Sequence, residues 1–157
     1  MVSVCFAGIT GWTAPAIVAA IDDADDLTLS AGVSRSAAGQ SLAAAAGSTS
    51  RGFVYATVAE ALQSAQVDVL IDYTSAAAVK DNVWTAVGAG VHAVIGSSGL
   101  TSQDYEELDR LARDRGAGVI AAGNFSVMAA VLRHAASMAA RHPGSLGDHR
   151  LCQRRQA

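Results

Sequence analysis

The chain has 157 residues, 51% of them hydrophobic and 16% charged, with 15 glycines and only two prolines, which describes one ordinary α/β domain with a buried core and excludes a disordered chain. Residues 1–140 carry 7 Lys and Arg against 13 Asp and Glu, and this acidic body excludes a nucleic-acid partner, because binding a phosphate backbone calls for clustered positive charge. No apolar run approaches the roughly 18 residues of a membrane span and no signal-type segment opens the chain, so the expected setting is cytoplasmic with no membrane partner.

Val2 to Ala7 is an apolar, β-prone run that ends on Gly8-Ile9-Thr10-Gly11-Trp12-Thr13-Ala14. The spacing Gly-x-x-Gly-x-x-Ala predicts a buried strand, a tight turn at Gly8 and a helix lying close on the strand at Ala14, the opening of a nucleotide-binding βα unit. Gly11 lets backbone approach a pyrophosphate, and the helix start offers N–H groups and a positive dipole end to it. Ala14, Ile17, Val18 and Ile21 then fall at i, i+3, i+4 and i+7, an apolar stripe facing a sheet. Asp22, Asp23, Asp25 and Asp26 read as a solvated loop closing that helix rather than as a metal site.

Leu27 to Val33 is a second strand, and its end, Ser34-Arg35-Ser36, lies about 20 residues after the glycine turn, where a dinucleotide fold selects its cofactor. An acidic residue there would hydrogen-bond the ribose of NADH. Ser34 and Arg35 instead supply a hydroxyl and a cation suited to a 2′-phosphate, so NADPH is expected, with NADH as the alternative. Residues 37–50 read as a loop containing a short helix over Leu42 to Ala46, before Gly47. Phe53 to Ala56 is a short strand, Val58 to Ala65 a helix, and Val67 to Ile71 a continuous apolar strand of the kind buried on both faces. Asp72-Tyr73-Thr74 follows at its carboxyl end, where open α/β sheets bind ligands, which makes Thr74 a candidate for the crevice.

A helix over Ala76 to Val87 and a strand over Val91 to Ile95 lead to the loop Gly96-Ser97-Ser98-Gly99. Thr101 and Asp104 form a capping box for a helix whose inward face includes Tyr105, Leu108 and Leu111. Gly118 to Ala121 is the last strand, and Gly123-Asn124-Phe125-Ser126 leads into a helix with Val127, Val131, Leu132 and Met138 facing inward. Strands alternating with helices predict a Rossmann-type doubly wound parallel sheet over residues 1–140. Loops rich in Gly, Ser, Thr and Asn follow three of its strands, after Gly8, Ile95 and Ala121.

Other chemistries fit poorly. Gly96-Ser97-Ser98-Gly99 lacks the spacing of a nucleophile elbow, His92, His134, His142 and His149 contain no i, i+4 ligand pair, and Cys5 and Cys152 have no metal-type spacing. Both cysteines are expected as free thiols, His92 as a packed or surface residue and Lys80 as facing solvent.

Taken together, Gly8-Ile9-Thr10-Gly11, Asp68-Val69-Leu70-Ile71-Asp72-Tyr73-Thr74, Val94-Ile95-Gly96-Ser97-Ser98-Gly99 and Asn124-Phe125-Ser126-Val127 resemble the nucleotide-binding half of the dihydrodipicolinate reductase family. That family makes tetrahydrodipicolinate for diaminopimelate and lysine synthesis. The resemblance covers residues 2–140. It implies that Gly8, Ile9, Thr10, Gly11, Trp12 and Thr13 hold the pyrophosphate and that Arg35 contacts the adenosine phosphate. It also implies that Gly96, Ser97 and Ser98 flank the nicotinamide while Ala122, Gly123, Asn124 and Phe125 close the site. The family usually has Arg-Met-Gly where this chain has Trp12-Thr13-Ala14, Asp-Phe-Thr for Asp72-Tyr73-Thr74, Gly-Thr-Thr-Gly for Gly96-Ser97-Ser98-Gly99, and often an acidic residue at Ser34. The serines keep the hydroxyls, whereas Trp12 removes a phosphate-contacting cation.

Family members continue into a substrate domain with a His-His-x-x-Lys segment and a Ser-Gly-Thr segment, and neither motif occurs in this sequence. The resemblance therefore implies the cofactor half of an NAD(P)H-dependent reductase, inactive by itself and without an assigned catalytic residue. A non-catalytic NADPH-binding module or redox-state sensor is the alternative, because this fold hosts many functions. Residues 141–157 carry four arginines and one aspartate and show neither helical nor strand period. They read as a frame-shifted version of the family's continuing strand, expected to be disordered from Leu146 and to leave an apolar face uncovered that favours self-association.

Overall fold

The side chains of the first strand, β1 (Val2–Ala7), alternate between two cores, as the two-residue period of a strand requires. Val4 and Phe6 pack with Ile9 and with Ala14, Val18 and Ile21 of α1 (Ala14–Asp22). Cys5 and Ala7 pack on the opposite face. The structure, a computed structural model, describes residues 1–122 and 125–141. It divides the chain into two units, Met1–Gly123 and Asn124–Ala157.

The first unit continues through β2 (Leu27–Val33), α2 (Leu42–Ala46), β3 (Phe53–Tyr55), α3 (Val58–Ser64), β4 (Val69–Asp72), α4 (Val79–Gly88), β5 (His92–Ile95), α5 (Ser102–Arg115) and β6 (Val119–Ala121). Its strands form one six-stranded sheet in the order β3-β2-β1-β4-β5-β6, with every pairing parallel. This is the Rossmann-type doubly wound sheet predicted above. The chain winds outward from β1 through β2 to β3, then returns to β4 and winds the other way, so the strand order reverses between β1 and β4.

The face that takes Cys5 and Ala7 is completed by Val58 and Ala61 of α3 and Ala86 of α4. A third cluster joins Val79, Val83 and Val87 of α4 to Ala93 and Ile95 of β5 and to Leu108 and Ala112 of α5. On β2, Leu29 packs with the Val4 face whereas Ala31 and Val33 pack with the Cys5 face, although simple alternation would put all three on one side. The cause is a shift of register: Val4 pairs with Leu29 but Cys5 with Ala31, leaving Ser30 as an extra residue. One inserted residue flips every later side chain to the other face. Ser30 donates its hydroxyl to the Val4 carbonyl at 3.2 Å, which satisfies both groups at the bulge.

Several elements differ from the sequence reading. Helix α4 begins at Val79 rather than Ala76, because residues 75–78 form a turn in which the N–H groups of Ala78 and Val79 both donate to the Ser75 carbonyl at 3.0 Å. The buried line of α5 is Asp104, Leu108 and Ala112, while Tyr105 is exposed and Leu111 half-buried. Asp104 turns inward because the capping box with Thr101 and an ion pair with Lys80 of α4 hold it there. Asp22 does not sit free in a solvated loop, since it accepts hydrogen bonds from Ser48 Oγ at 2.8 Å, Ser50 Oγ at 3.0 Å and the Thr49 N–H at 2.8 Å, fastening the loop after α2 to the end of α1.

The second unit contains α6 (Val127–Ala139), capped by Ser126, whose hydroxyl accepts from the Ala129 N–H at 3.4 Å. Val127, Val131, Leu132 and Met138 are exposed instead of inward-facing: α6 has no second described element in its own unit to pack on, and a lone helix buries none of its residues. The expected disorder from Leu146 and the frame-shift reading fall outside the described residues, as do Cys152, Gly123 and Asn124. Among the described residues, no helix is long and apolar enough to cross a membrane.

Candidate functional site

The carboxyl ends of five strands stand in one row, because Val33 pairs with Ala7, Ala7 with Asp72, Asp72 with Ile95 and Ile95 with Ala121. The loops after Ala7, Val33, Asp72 and Ile95 thereby meet on one edge of the sheet, over the β1–β4 reversal where such folds bind ligands. Gly8 begins the first of these loops with φ +93°, and the Gly11 N–H returns to its carbonyl at 2.8 Å. Ile9 is buried in the core, so only its backbone is available to a ligand; Thr10 is exposed, Gly11 and Thr13 are half-buried, and Trp12 is 93% exposed. No side chain caps the N-terminus of α1, and Pro15 occupies its first turn.

Beside this turn, Thr10 Oγ1 lies 3.0 Å from Ser34 Oγ, which lies 3.1 Å from Ser36 Oγ. The three hydroxyls link the glycine turn to the end of β2. Arg35, between the two serines, is exposed and has no ion-pair partner among the described residues.

Thr74, Gly96 and Ser97 are brought together by Asp72, which the sequence reading quotes in its motifs without giving it a role. Asp72 is 0% exposed, and its Oδ1 accepts from the Thr74 N–H at 3.1 Å, Thr74 Oγ1 at 2.8 Å and Ser97 Oγ at 2.6 Å, while Oδ2 accepts from Asn82 Nδ2 at 2.8 Å. One buried carboxylate thus fastens the loops after β4 and β5 and the side of α4, a set of four donors that offsets the cost of burying its charge. The signal was present in the sequence: an acidic residue ending the apolar run Val69-Leu70-Ile71 must find donors if it is buried. Tyr73 joins the same loops from above. A Cβ on Gly96 would overlap the Tyr73 ring, so any other residue there would require that ring to shift. The ring also meets Phe6 edge-on, with centroids 6.4 Å apart.

Ser98 is exposed and Ala122, whose N–H donates to the Ile95 carbonyl at 3.3 Å, is half-buried in the same unit. Phe125 belongs to the second unit. Beneath the site, burial pushes the Cys5 thiol up to about 12, with the negative charge of Asp72 adding to it. Lys80 is exposed, and it also pairs with Asp104 and lies 5.2 Å from the Trp84 ring centre. His92 opens β5, at the end of the sheet opposite the crevice, and its Nδ1 accepts from the Gly118 N–H at 2.7 Å. Among the described residues no group of His, Cys, Asp and Glu is arranged to hold a metal.

Comparison with known proteins identifies the family and supports the fold. The family described as Dihydrodipicolinate reductase, N-terminus, matches residues 2–125. The 4-hydroxy-tetrahydrodipicolinate reductase of Geobacillus kaustophilus is 34% identical over 142 residues, covering 90% of this chain and 54% of its own length. That of Thermosynechococcus vestitus is 32% identical over 146 residues, covering 90% and 53%. The chain spans about half the length of the curated relatives it matches. Among solved structures, the dipicolinate-bound dihydrodipicolinate reductase from Paenisporosarcina sp. TG-14 superposes with a TM-score of 0.75 at 22% identity, over 90% of this chain and 54% of that one. A biliverdin reductase from Synechocystis, solved with biliverdin and NADP+, shares the fold with a TM-score of 0.63 at 20% identity, over 76% of this chain and 37% of that one. The chain belongs to the dihydrodipicolinate reductase family, of which it carries the N-terminal nucleotide-binding domain.

Proposed function

We propose that this chain binds NADPH along the carboxyl ends of β2, β1, β4 and β5 and acts as the cofactor half of a 4-hydroxy-tetrahydrodipicolinate reductase in the cytoplasm. The observation that carries the reading is the row of strand ends from Val33 through Ala7 and Asp72 to Ile95, which sets a phosphate-type turn, a cationic arm and a hydroxyl-lined loop along one edge. The residues fit a dinucleotide. Gly8 and Gly11 present backbone without side chains, the start of α1 is left uncapped by any side chain, and Arg35 stands unpaired by any described acid beside three clustered hydroxyls.

When bound, NADPH supplies the hydride that a cyclic, unsaturated amino-diacid accepts. In this reading Gly8, Thr10, Gly11 and Thr13, with the first turn of α1, hold the pyrophosphate, and Ser34 and Arg35 take the 2′-phosphate. Gly96, Ser97 and Ser98 flank the nicotinamide, with the Tyr73 ring packed against Gly96. Trp12 brings no cation to the phosphates, so Arg35 carries more of the electrostatic load.

Neither Lys80, held by Asp104, nor His92, at the far end of β5, stands where it could protonate a substrate beside Gly96. Among the described lysine and histidine residues of the first unit none is placed as a proton donor, which favours binding over turnover there, since a positioned general acid typically contributes about 10²–10⁴-fold. It also keeps the second reading, an NADPH-binding module or redox-state sensor, distinct. Calorimetric titration with NADPH and NADH, followed by a steady-state assay with dihydrodipicolinate, tests both. Saturable NADPH binding with no turnover is expected; absence of binding overturns the proposal, and rapid turnover removes the sensor reading.

A further inference from the structure

The buried carboxylate of Asp72 has a consequence for the ligand that goes beyond holding two loops together. A hydroxyl owns one proton and two lone pairs, so a hydroxyl committed to donating inward can only accept outward. Ser97 Oγ donates to Asp72 Oδ1 at 2.6 Å, and Thr74 Oγ1 donates to the same atom at 2.8 Å. Asp72 is fully buried and has no cationic partner among the described residues, so turning either hydroxyl away would strip donors from a buried charge. Both protons are therefore held inward. Thr74 and Ser97 are themselves only half-buried, at the carboxyl ends of β4 and β5 where the proposed cofactor crevice lies. Asn82 Nδ2 approaches Thr74 Oγ1 at 3.5 Å and takes up part of its accepting capacity, which leaves Ser97 as the freer acceptor.

We infer that Asp72 is a positioning residue that sets the hydrogen-bond polarity of the crevice, making Ser97, and secondarily Thr74, an acceptor for an N–H donor of the bound cofactor, namely the amide nitrogen of the nicotinamide carboxamide. The inference rests on the dinucleotide reading above. It adds that this wall selects for the amide NH₂ and against a group with no hydrogen to donate, because a site built to pair a donor penalises a ligand that lacks it.

The test uses NADP+ and its 3-acetylpyridine analogue, which carries a methyl group where the carboxamide has its NH₂. The affinity ratio between the two is measured by titration on the unaltered 157-residue chain, on Ser97→Ala and on Asp72→Asn, with thermal denaturation as a check of folding. Ser97→Ala should reduce the preference for NADP+ by about 2- to 12-fold, the range of one neutral hydrogen bond, with the loss falling on NADP+ rather than on the analogue. Asp72→Asn, which introduces a competing donor, should move the ratio in the same direction. A merely structural role would weaken both ligands alike. If the unaltered chain binds NADP+ but Ser97→Ala leaves the ratio unchanged, the polarity inference is overturned while the dinucleotide reading stands; if no dinucleotide binds at all, both fall.

Discussion

The backbone carbonyl of Tyr73 occupies the space that a side chain at Gly8 would need: a Cβ built there would stand 2.8 Å from the Tyr73 carbonyl carbon, at a residue whose φ is +93°. The glycine that starts the turn is therefore dictated twice, by its own dihedral and by the backbone that follows β4. Gly8→Ala should destabilise the protein by at least about 2 kcal/mol, since the positive φ costs a Cβ-bearing residue about 1–2 kcal/mol and the overlap about 1–3 more. Denaturant unfolding measures this, and a loss under about 0.5 kcal/mol, the size of an ordinary surface change, would contradict it.

Arg35→Ala should narrow the difference between NADPH and NADH affinities by about 1–3 kcal/mol, the scale of a charge-assisted hydrogen bond, while leaving NADH binding nearly unchanged. Two titrations on each protein decide it. Equal affinities for both cofactors in the unaltered chain would mean that Ser34 and Arg35 are ordinary loop residues.

Hydrogen bonding from Lys80, then from the Thr101 N–H and hydroxyl, holds the Asp104 carboxyl at about 2, below its ordinary value of 3.8. A carboxyl whose folded value is depressed favours the folded state above its unfolded value and loses that contribution as protons bind. The protein should thus keep this support above about pH 4 and lose it between about pH 4 and pH 2. Urea midpoints measured across that interval should fall less steeply in Asp104→Asn than in the unaltered chain. Thr101→Ala should cost about 1 kcal/mol at neutral pH through loss of the helix cap.

Cys5 should be inert in the folded protein. Burial, and then the charge of Asp72, push its thiol up to about 12, so almost no thiolate exists at pH 8 and no reagent can reach it. In a Cys152→Ser background a disulfide-exchange reagent should therefore titrate no thiol until denaturant is added, and then one. Rapid labelling under native conditions would show that β1 opens far more readily than its burial implies.

Much of the fold was legible in the chain because it is written in short range. The run of β2 from Leu27 to Val33, the five-residue helix α2 ending on Gly47 in a left-handed conformation, and the Thr101–Asp104 capping box each depend on residues no more than a few positions apart. The succession of strands and helices also determined the parallel, doubly wound sheet, since a parallel strand needs a crossover and a crossover helix needs a face to cover. What the sequence did not contain was pairing between distant residues. The bulge at Ser30, which changes the core face of Ala31 and Val33, exists only in the register of β2 against β1. The inward turn of Asp104 requires Lys80, 24 positions away, and the binding of Thr74, Asn82 and Ser97 around Asp72 requires β4, β5 and α4 to be assembled. Local propensity sets which element a residue joins, but which donor finally faces a buried carboxylate is settled by the packing that excludes water from it, and only the tertiary structure decides that.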